Sequence, residues 1–147
     1  MNVQILEQTQ FTEEVAHELR QLLPQLSASA TAPSDQAVRA IVESDASHLL
    51  VAREGTVILG FLTLVVFPIP TGIRAWIEDV IVDAGARGKG VGEKLNVFAL
   101  DLAASLGART VELTSRPSRA SANRLYQRLG FVERETNVYR FTVKALG

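Results

Sequence analysis

The chain has no cysteine. Disulfides, thiolate metal sites and a catalytic thiol are therefore excluded. Absence of cysteine suits any compartment, and the cytoplasm is the default expectation. Histidine is scarce: His17 and His48 are the only two. They are far apart, with no carboxylate cluster around either, so no metal site is expected and neither is given a role. No sign of charge dominates, with 15 Lys and Arg against 16 Asp and Glu. That balance argues against a broad nucleic-acid footprint. Long hydrophobic runs are missing too. The longest apolar stretch, Val57 to Pro70, is interrupted by Gly60 and Thr63 and ends in Pro68 and Pro70. It is too short and broken to span a bilayer, and its β-branched and aromatic residues read as strand. The start, MNVQILEQTQ, has no basic region followed by an apolar core, so no signal peptide is expected. What remains is a chain of 147 residues with no internal repeat. A single domain over residues 1–147 is expected, large enough to bury its own core.

Periodicity and punctuation lay out the elements. Val3 to Leu6 reads as a strand. Thr12 is placed to cap a helix whose stripe (Val15, Ala16, Leu19, Leu22, Leu23) stops at Pro24. Gln25 to Pro33 is a small, polar loop of the kind that is mobile, and Ser34 or Asp35 caps a second helix. His48 to Arg53 and Val57 to Phe67 form a hairpin around Glu54-Gly55-Thr56. Pro68 to Gly72 then connects to a strand at Ala75 to Val82. A third helix carries Val91, Leu95, Phe98, Ala99, Leu102 and Leu106 on one face and ends at Gly107. Thr110 to Thr114 is a further strand. A helix capped by Ser118 runs to Gly130, where Phe131 supplies the hydrophobic contact of a Schellman ending. The alternation from Val138 to Val143 predicts a last strand. The predicted fold class is α/β: a mixed, mostly antiparallel central sheet of six or seven strands with helices on both faces.

The most informative segment is Arg87-Gly88-Lys89-Gly90-Val91-Gly92, between a predicted strand and a helix start. Glycines let backbone N–H groups converge without Cβ obstruction. The open N–H groups and dipole of a helix start favour an anion. Arg87 and Lys89 add two cations. The spacing fits neither the dinucleotide fingerprint, whose third glycine would fall at Glu93, nor a Walker loop, since Lys89 precedes Gly90. A tight turn without ligand is the plainer alternative, but three glycines alternating with two cations exceed what a connection requires.

Together with IEDVIV at Ile77 to Val82 and ANRLYQRLGF at Ala122 to Phe131, this loop resembles the GNAT superfamily of acyl-CoA-dependent N-acyltransferases. The resemblance covers nearly the whole chain, although the N-terminal third matches by element order alone. It implies acetyl-CoA as co-substrate and no metal. It implies that Arg87, Gly88, Lys89, Gly90, Val91 and Gly92 hold the pyrophosphate of CoA. Val80, Ile81 and Val82 would bond the pantetheine arm at a bulged strand end from which the next strand splays. Asn123 would contact the pantetheine or phosphates, and Tyr126 would sit beside the thioester sulfur.

The implied reaction is direct attack of an amine on a thioester, with no covalent enzyme intermediate. Tyr126 is the candidate acid for the leaving thiolate, with a core tyrosine as the alternative. Glu78 is the candidate base, acting through a water. Alternation puts Trp76, Glu78 and Val80 on one strand face and Ile77, Asp79 and Ile81 on the other. Burial within an apolar strand would raise the pKa of Glu78. The alternative is a structural pair of Glu78 or Asp79 with an arginine such as Arg74 or Arg116. Arg116 and Arg119 are candidates for a phosphate or anionic substrate, or a solvated turn. Trp76, Phe67 and Tyr139 are candidates for an acceptor pocket or for core. The acceptor is expected to be a small-molecule amine, with a protein lysine or N-terminal amine second and a non-catalytic CoA-binding module third. No nucleic-acid or membrane partner is expected, and a homodimer stays open.

Overall fold

Alternating apolar residues and tight turns organise residues 47–82 into an antiparallel meander. The computed structural model describes residues 2–144 and divides into two compact units, Met1–Thr114 and Ser115–Gly147. In the first, the meander consists of β2 (Ser47–Glu54), β3 (Val57–Ile69) and β4 (Gly72–Val82). Strands β2 and β3 meet through the two-residue turn Gly55-Thr56, with Glu54 opposite Val57 and Gly55 at φ 62°. Strands β3 and β4 meet as tightly, Ile69 opposite Gly72. The looser connection expected over Pro68 to Gly72 is thus a hairpin, and β4 begins earlier than predicted.

The sheet is completed by β1 (Val3–Gln8), antiparallel to β2, and by β5 (Thr110–Glu112), parallel to β4. Its order is β1-β2-β3-β4-β5. This corrects the expectation of six or seven strands: the described residues contain five. The mixed, mostly antiparallel character is as predicted. Three helices accompany it, α1 (Glu13–Leu26), α2 (Asp35–Val42) and α3 (Val91–Ser105). Thr12 caps α1 by accepting from the Val15 N–H at 3.1 Å, and Ser34 caps α2 by accepting from the Ala37 N–H at 3.1 Å. Helix α1 does not stop at Pro24 but continues to Leu26. In the last turn proline forfeits a single N–H bond, and the Ser27 N–H closes on Leu23 O at 3.1 Å. Gly107 ends α3 as expected, with the Schellman pair Gly107 N–H to Ala104 O and Ala108 N–H to Ala103 O.

Val15, Ala16, Leu19 and Leu22 of α1 and Val38 and Val42 of α2 form one core with Leu49, Val51, Ile58, Phe61 and Ile81 of the sheet. The intervening strand residues Leu50, Leu62, Leu64 and Ile77 are also buried, on the opposite face, and α3 packs on β2, β3 and β4 with its own buried Val91, Leu95, Ala99 and Ala103. No helix among the described residues is long and apolar enough to cross a membrane.

The second unit contains α4 (Ala120–Leu129). Arg119, not Ser118, occupies the N-cap position, and no side chain caps the helix. Its end is as predicted. The Phe131 N–H bonds Tyr126 O at 2.9 Å, the Gly130 N–H bonds Gln127 O at 3.1 Å, and the Tyr126 and Phe131 rings meet edge to face at 5.7 Å. The strand predicted from Val138 to Val143 is absent; residues 131–144 have no regular structure. Alternation creates a strand only where a partner supplies the ladder, and here Tyr139 and Phe141 are 88% and 90% exposed.

Candidate functional site

The glycine loop and the strand before it are shaped by one inserted residue. Phe61 pairs with Ile81 and Thr63 with Glu78, so Asp79 and Val80 of β4 oppose Leu62 alone. This is a β-bulge, and Asp79 takes φ 47°, a region that aspartate tolerates better than most residues. The bulge resets the side-chain alternation. Strict alternation groups Ile81 with Ile77, whereas Ile81 packs in the α1–α2 core and Ile77 lies outside it. Glu78 therefore lies on the sheet face that Ile81 rejoins after the bulge.

On its other edge, β4 pairs with β5 only from Arg74 to Trp76. From Glu78 to Val82 that edge has no strand partner among the described residues, leaving backbone groups open for an extended ligand. Gly60, opposite Val82, makes this strand end possible. A Cβ on Gly60 would lie 2.5 Å from Ile81 O.

After β4, a short 3-10 turn (Ala84–Ala86) leads into the loop. Gly88 and Gly90 adopt φ 81° and 76°, and a Cβ at either would meet open space. Conformation, not crowding, demands glycine at both. Gly90 is the N-cap of α3 and offers no side chain. The first helical bond is Lys94 N–H to Gly90 O at 3.0 Å. The N–H groups of Val91 and Gly92 precede it and have no carbonyl within the helix to bond, and those of Gly88, Lys89 and Gly90 make no backbone bond among the described residues. Arg87 and Lys89 are exposed beside them. The result is a run of free donors flanked by two cations at the positive end of a helix of 15 residues, a set that fits a diphosphate. Buried Asn96 steadies the first turn, its Nδ2 donating to Gly92 O at 2.8 Å.

Glu78 is exposed rather than buried in an apolar strand. Its carboxyl is nonetheless raised above the usual glutamate value, by partial desolvation first and by the neighbouring Asp79 carboxylate second. Neither Glu78 nor Asp79 has an ion-pair partner among the described residues of the first unit, so a structural pair with Arg74 is not realised. Trp76 is half-buried. Phe67 borders a different hollow, of about 220 Å³, together with Asp45 and His48.

Three features escaped the sequence reading. Gln25, assigned to a mobile loop, grips the approach to the glycine turn. Its Nε2 donates to Asp83 Oδ1 at 3.0 Å and its Oε1 accepts from the Ala84 N–H at 2.9 Å. Arg20 ties down the other end of the same loop, with Nε donating to Pro33 O at 2.7 Å and Nη2 pairing with Asp35. His48 has a carboxylate partner after all, Glu7 at 2.9 Å. No sequence signal links Gln25 to Asp83 or Glu7 to His48; chain folding alone brings them together. Among the described residues no group of three or more His, Cys, Asp or Glu is arranged to hold a metal ion.

In the second unit, Tyr126 is buried. Burial raises its hydroxyl above the ordinary tyrosine value, and the Arg119 charge opposes that rise. Asn123 donates through Nδ2 to Arg116 O at 3.0 Å, which braces the turn before α4. Arg116 and Arg119 are exposed, as is Tyr139.

A family model described as the acetyltransferase (GNAT) family matches residues 10–131. A search of curated proteins finds no match. Similar solved structures include a transcriptional regulator from Bacillus halodurans C-125, 27% identical, covering 96% of this chain and 100% of that one with a TM-score of 0.82. An aminoglycoside acetyltransferase, meta-AAC0020, from an uncultured soil metagenomic sample in complex with sisomicin is 19% identical over 97% of each chain, with a TM-score of 0.80. AAC(6')-Iy in complex with a CoA bisubstrate analogue is 18% identical, covering 98% of this chain and 100% of that one, with a TM-score of 0.79.

Proposed function

Since the chain belongs to the GNAT acetyltransferase family, we propose that it transfers the acetyl group of acetyl-CoA directly to a primary amine of a small molecule. The observation that carries this reading is the glycine turn, whose open N–H groups follow a bulged, half-unpaired strand. In this reading Arg87, Gly88, Lys89, Gly90, Val91 and Gly92 hold the pyrophosphate. The free edge of Val80, Ile81 and Val82 bonds the pantetheine amides, and Asn123 contributes a further polar contact to the cofactor.

The thioester supplies the electrophile, and the chain's residues manage two protons. Glu78 takes the proton that the attacking ammonium must lose, through a water, and its raised pKa improves it as a base. Tyr126 gives a proton to the departing thiolate, and its raised pKa keeps it protonated for the task. A backbone N–H at the bulge is the proposed oxyanion donor.

A small acceptor is favoured over a protein lysine or N-terminal amine by two considerations. The chain's charges are balanced, without the bias of a groove for charged peptides. One similar structure is described as an aminoglycoside acetyltransferase in complex with sisomicin, and another holds a bisubstrate analogue of CoA and acetylneamine. A non-catalytic CoA-binding module would need neither Glu78 nor Tyr126. Release of free thiol from acetyl-CoA, screened over small amines and lysine peptides, tests the reading. Turnover with a small amine supports it; turnover with peptides alone reverses the choice of acceptor. A homodimer belongs to the same proposal, supported by the exposed apolar side chains of residues 138–143.

A further inference from the structure

A second feature of the first unit has no part in the acetyl-transfer reading. Ile69, Thr71, Gly72, Ile73, Arg74, Arg109 and Thr110 surround a hollow of about 300 Å³ at the start of β4. The glycine turn follows the other end of this strand of 11 residues, so the two places are distinct. Two guanidinium groups border the hollow and no carboxylate does.

Three other arginines of this unit have partners, whereas Arg87 is exposed beside the glycine turn. Arg20 pairs with Asp35, Arg53 pairs with Glu14 at 2.6 Å, and Arg39 lies over the Phe11 ring at 4.0 Å. Arg74 and Arg109 have no ion-pair partner among the described residues, and the contact of Arg109 Nη1 with Thr71 O is long, at 3.4 Å. Their placement is built into the backbone. Arg74 is in register with Thr110, and the Arg109 N–H bonds Ile73 O at 2.9 Å, so the two residues lie on adjacent, paired segments. Gly72 sits at φ 130°, and a Cβ there would come within 3.0 Å of Arg109 Cδ. Glycine thus lets the Arg109 stem lie close against the strand. Two cationic side chains bordering one hollow repel each other less when an anion lies between them, and the guanidinium fork matches carboxylate and phosphate oxygens.

We propose that the hollow between Arg74 and Arg109 is a binding site for an oxyanion, a carboxylate or phosphate group of a small molecule. Thr71 and Thr110 also border the hollow, and threonine carries a hydroxyl that can donate to such a group. The proposal does not depend on acetyl transfer, and its test needs no CoA.

The test is the melting temperature of the full chain with inorganic phosphate or with citrate, against sodium chloride of equal ionic strength. At tenfold excess over the dissociation constant the site raises the melting temperature by about 3 °C. The variant R109Q abolishes the rise and R74Q weakens it, whereas R109K, which keeps the charge without the fork, retains part of it. The double variant R87Q/K89Q keeps the rise, which separates this hollow from the glycine turn. Phosphate without citrate identifies the tetrahedral oxyanion; citrate without phosphate identifies the carboxylate. A wild-type chain that responds to neither anion beyond chloride overturns the proposal. So does a response that persists in R109Q and vanishes in R87Q/K89Q. Should R109Q not fold, the R74Q and R109K arms decide by the same criteria.

Discussion

Among single residues, two titrating groups carry the proposed chemistry, and both are shifted in the direction it needs. Burial holds the Tyr126 hydroxyl above its ordinary value, so it stays protonated through the neutral range. A raised folded-state pKa also has a stability consequence. The contribution is complete below the unfolded value, near 10, and is lost as pH rises through the higher folded value. The variant Y126F is expected to lower turnover about 100-fold, with the acetyl-CoA dissociation constant within about twofold of wild type. It should also soften the alkaline fall in melting temperature. Steady-state thiol release, calorimetric titration and melting curves across pH check these; unchanged turnover removes Tyr126 from the mechanism. Glu78 is raised by desolvation and by Asp79, so its protonated form is the one the fold favours. That contribution is present in acid and lost as pH rises through the raised value, so E78Q should leave neutral-pH stability intact or slightly higher. The rate should rise with pH as Glu78 ionises, above the usual glutamate range, and E78Q should erase that limb of the profile. A limb that persists in E78Q assigns the ionisation to another group.

At the scale of elements, the loop and the bulge make separable demands on glycine. A side chain at Gly90 meets open space, and only the positive φ excludes it. Replacement by valine should therefore weaken acetyl-CoA binding about tenfold or more, while asparagine, which tolerates this region, should retain much of the affinity. Equal losses for both would mean that the side chain obstructs the ligand instead. Gly60 is the opposite case, since its Cβ would collide with Ile81 O. G60A should lower the melting temperature by several degrees, as overpacking costs about 1–3 kcal/mol. Local signals made much of this legible from sequence. Thr12 and Ser34 cap helices with their own side chains, and Gly130-Phe131 closes α4 within six residues. The bulge was not legible in position, because an inserted residue leaves no mark in apolar alternation; only its consequence, Ile81 on the other face, reveals it. Pro24 misled because its cost depends on how many helical bonds follow it. The grip of Gln25 on Asp83 and Ala84 spans 58 and 59 residues, beyond any local pattern.

For the whole molecule, the segment that alternates from Val138 to Val143 was read as a strand from a pattern that only a partner can realise. Its apolar side chains are exposed in the single chain, and a second copy is the proposed means of covering them. Light scattering on the full chain should accordingly show dimers, and replacing Tyr139 and Phe141 with serine should shift the population to monomers. A monomer at high micromolar concentration would withdraw the dimer and leave the acetyl-transfer reading untouched. Calorimetric titration of acetyl-CoA into the wild type and the G90V variant decides whether the turn from Arg87 to Gly92 holds the diphosphate of acetyl-CoA. One site per chain is expected in the wild type, with affinity lowered about tenfold or more in the variant. Absence of binding to the wild type at millimolar acetyl-CoA, or equal affinity in both proteins, would contradict it.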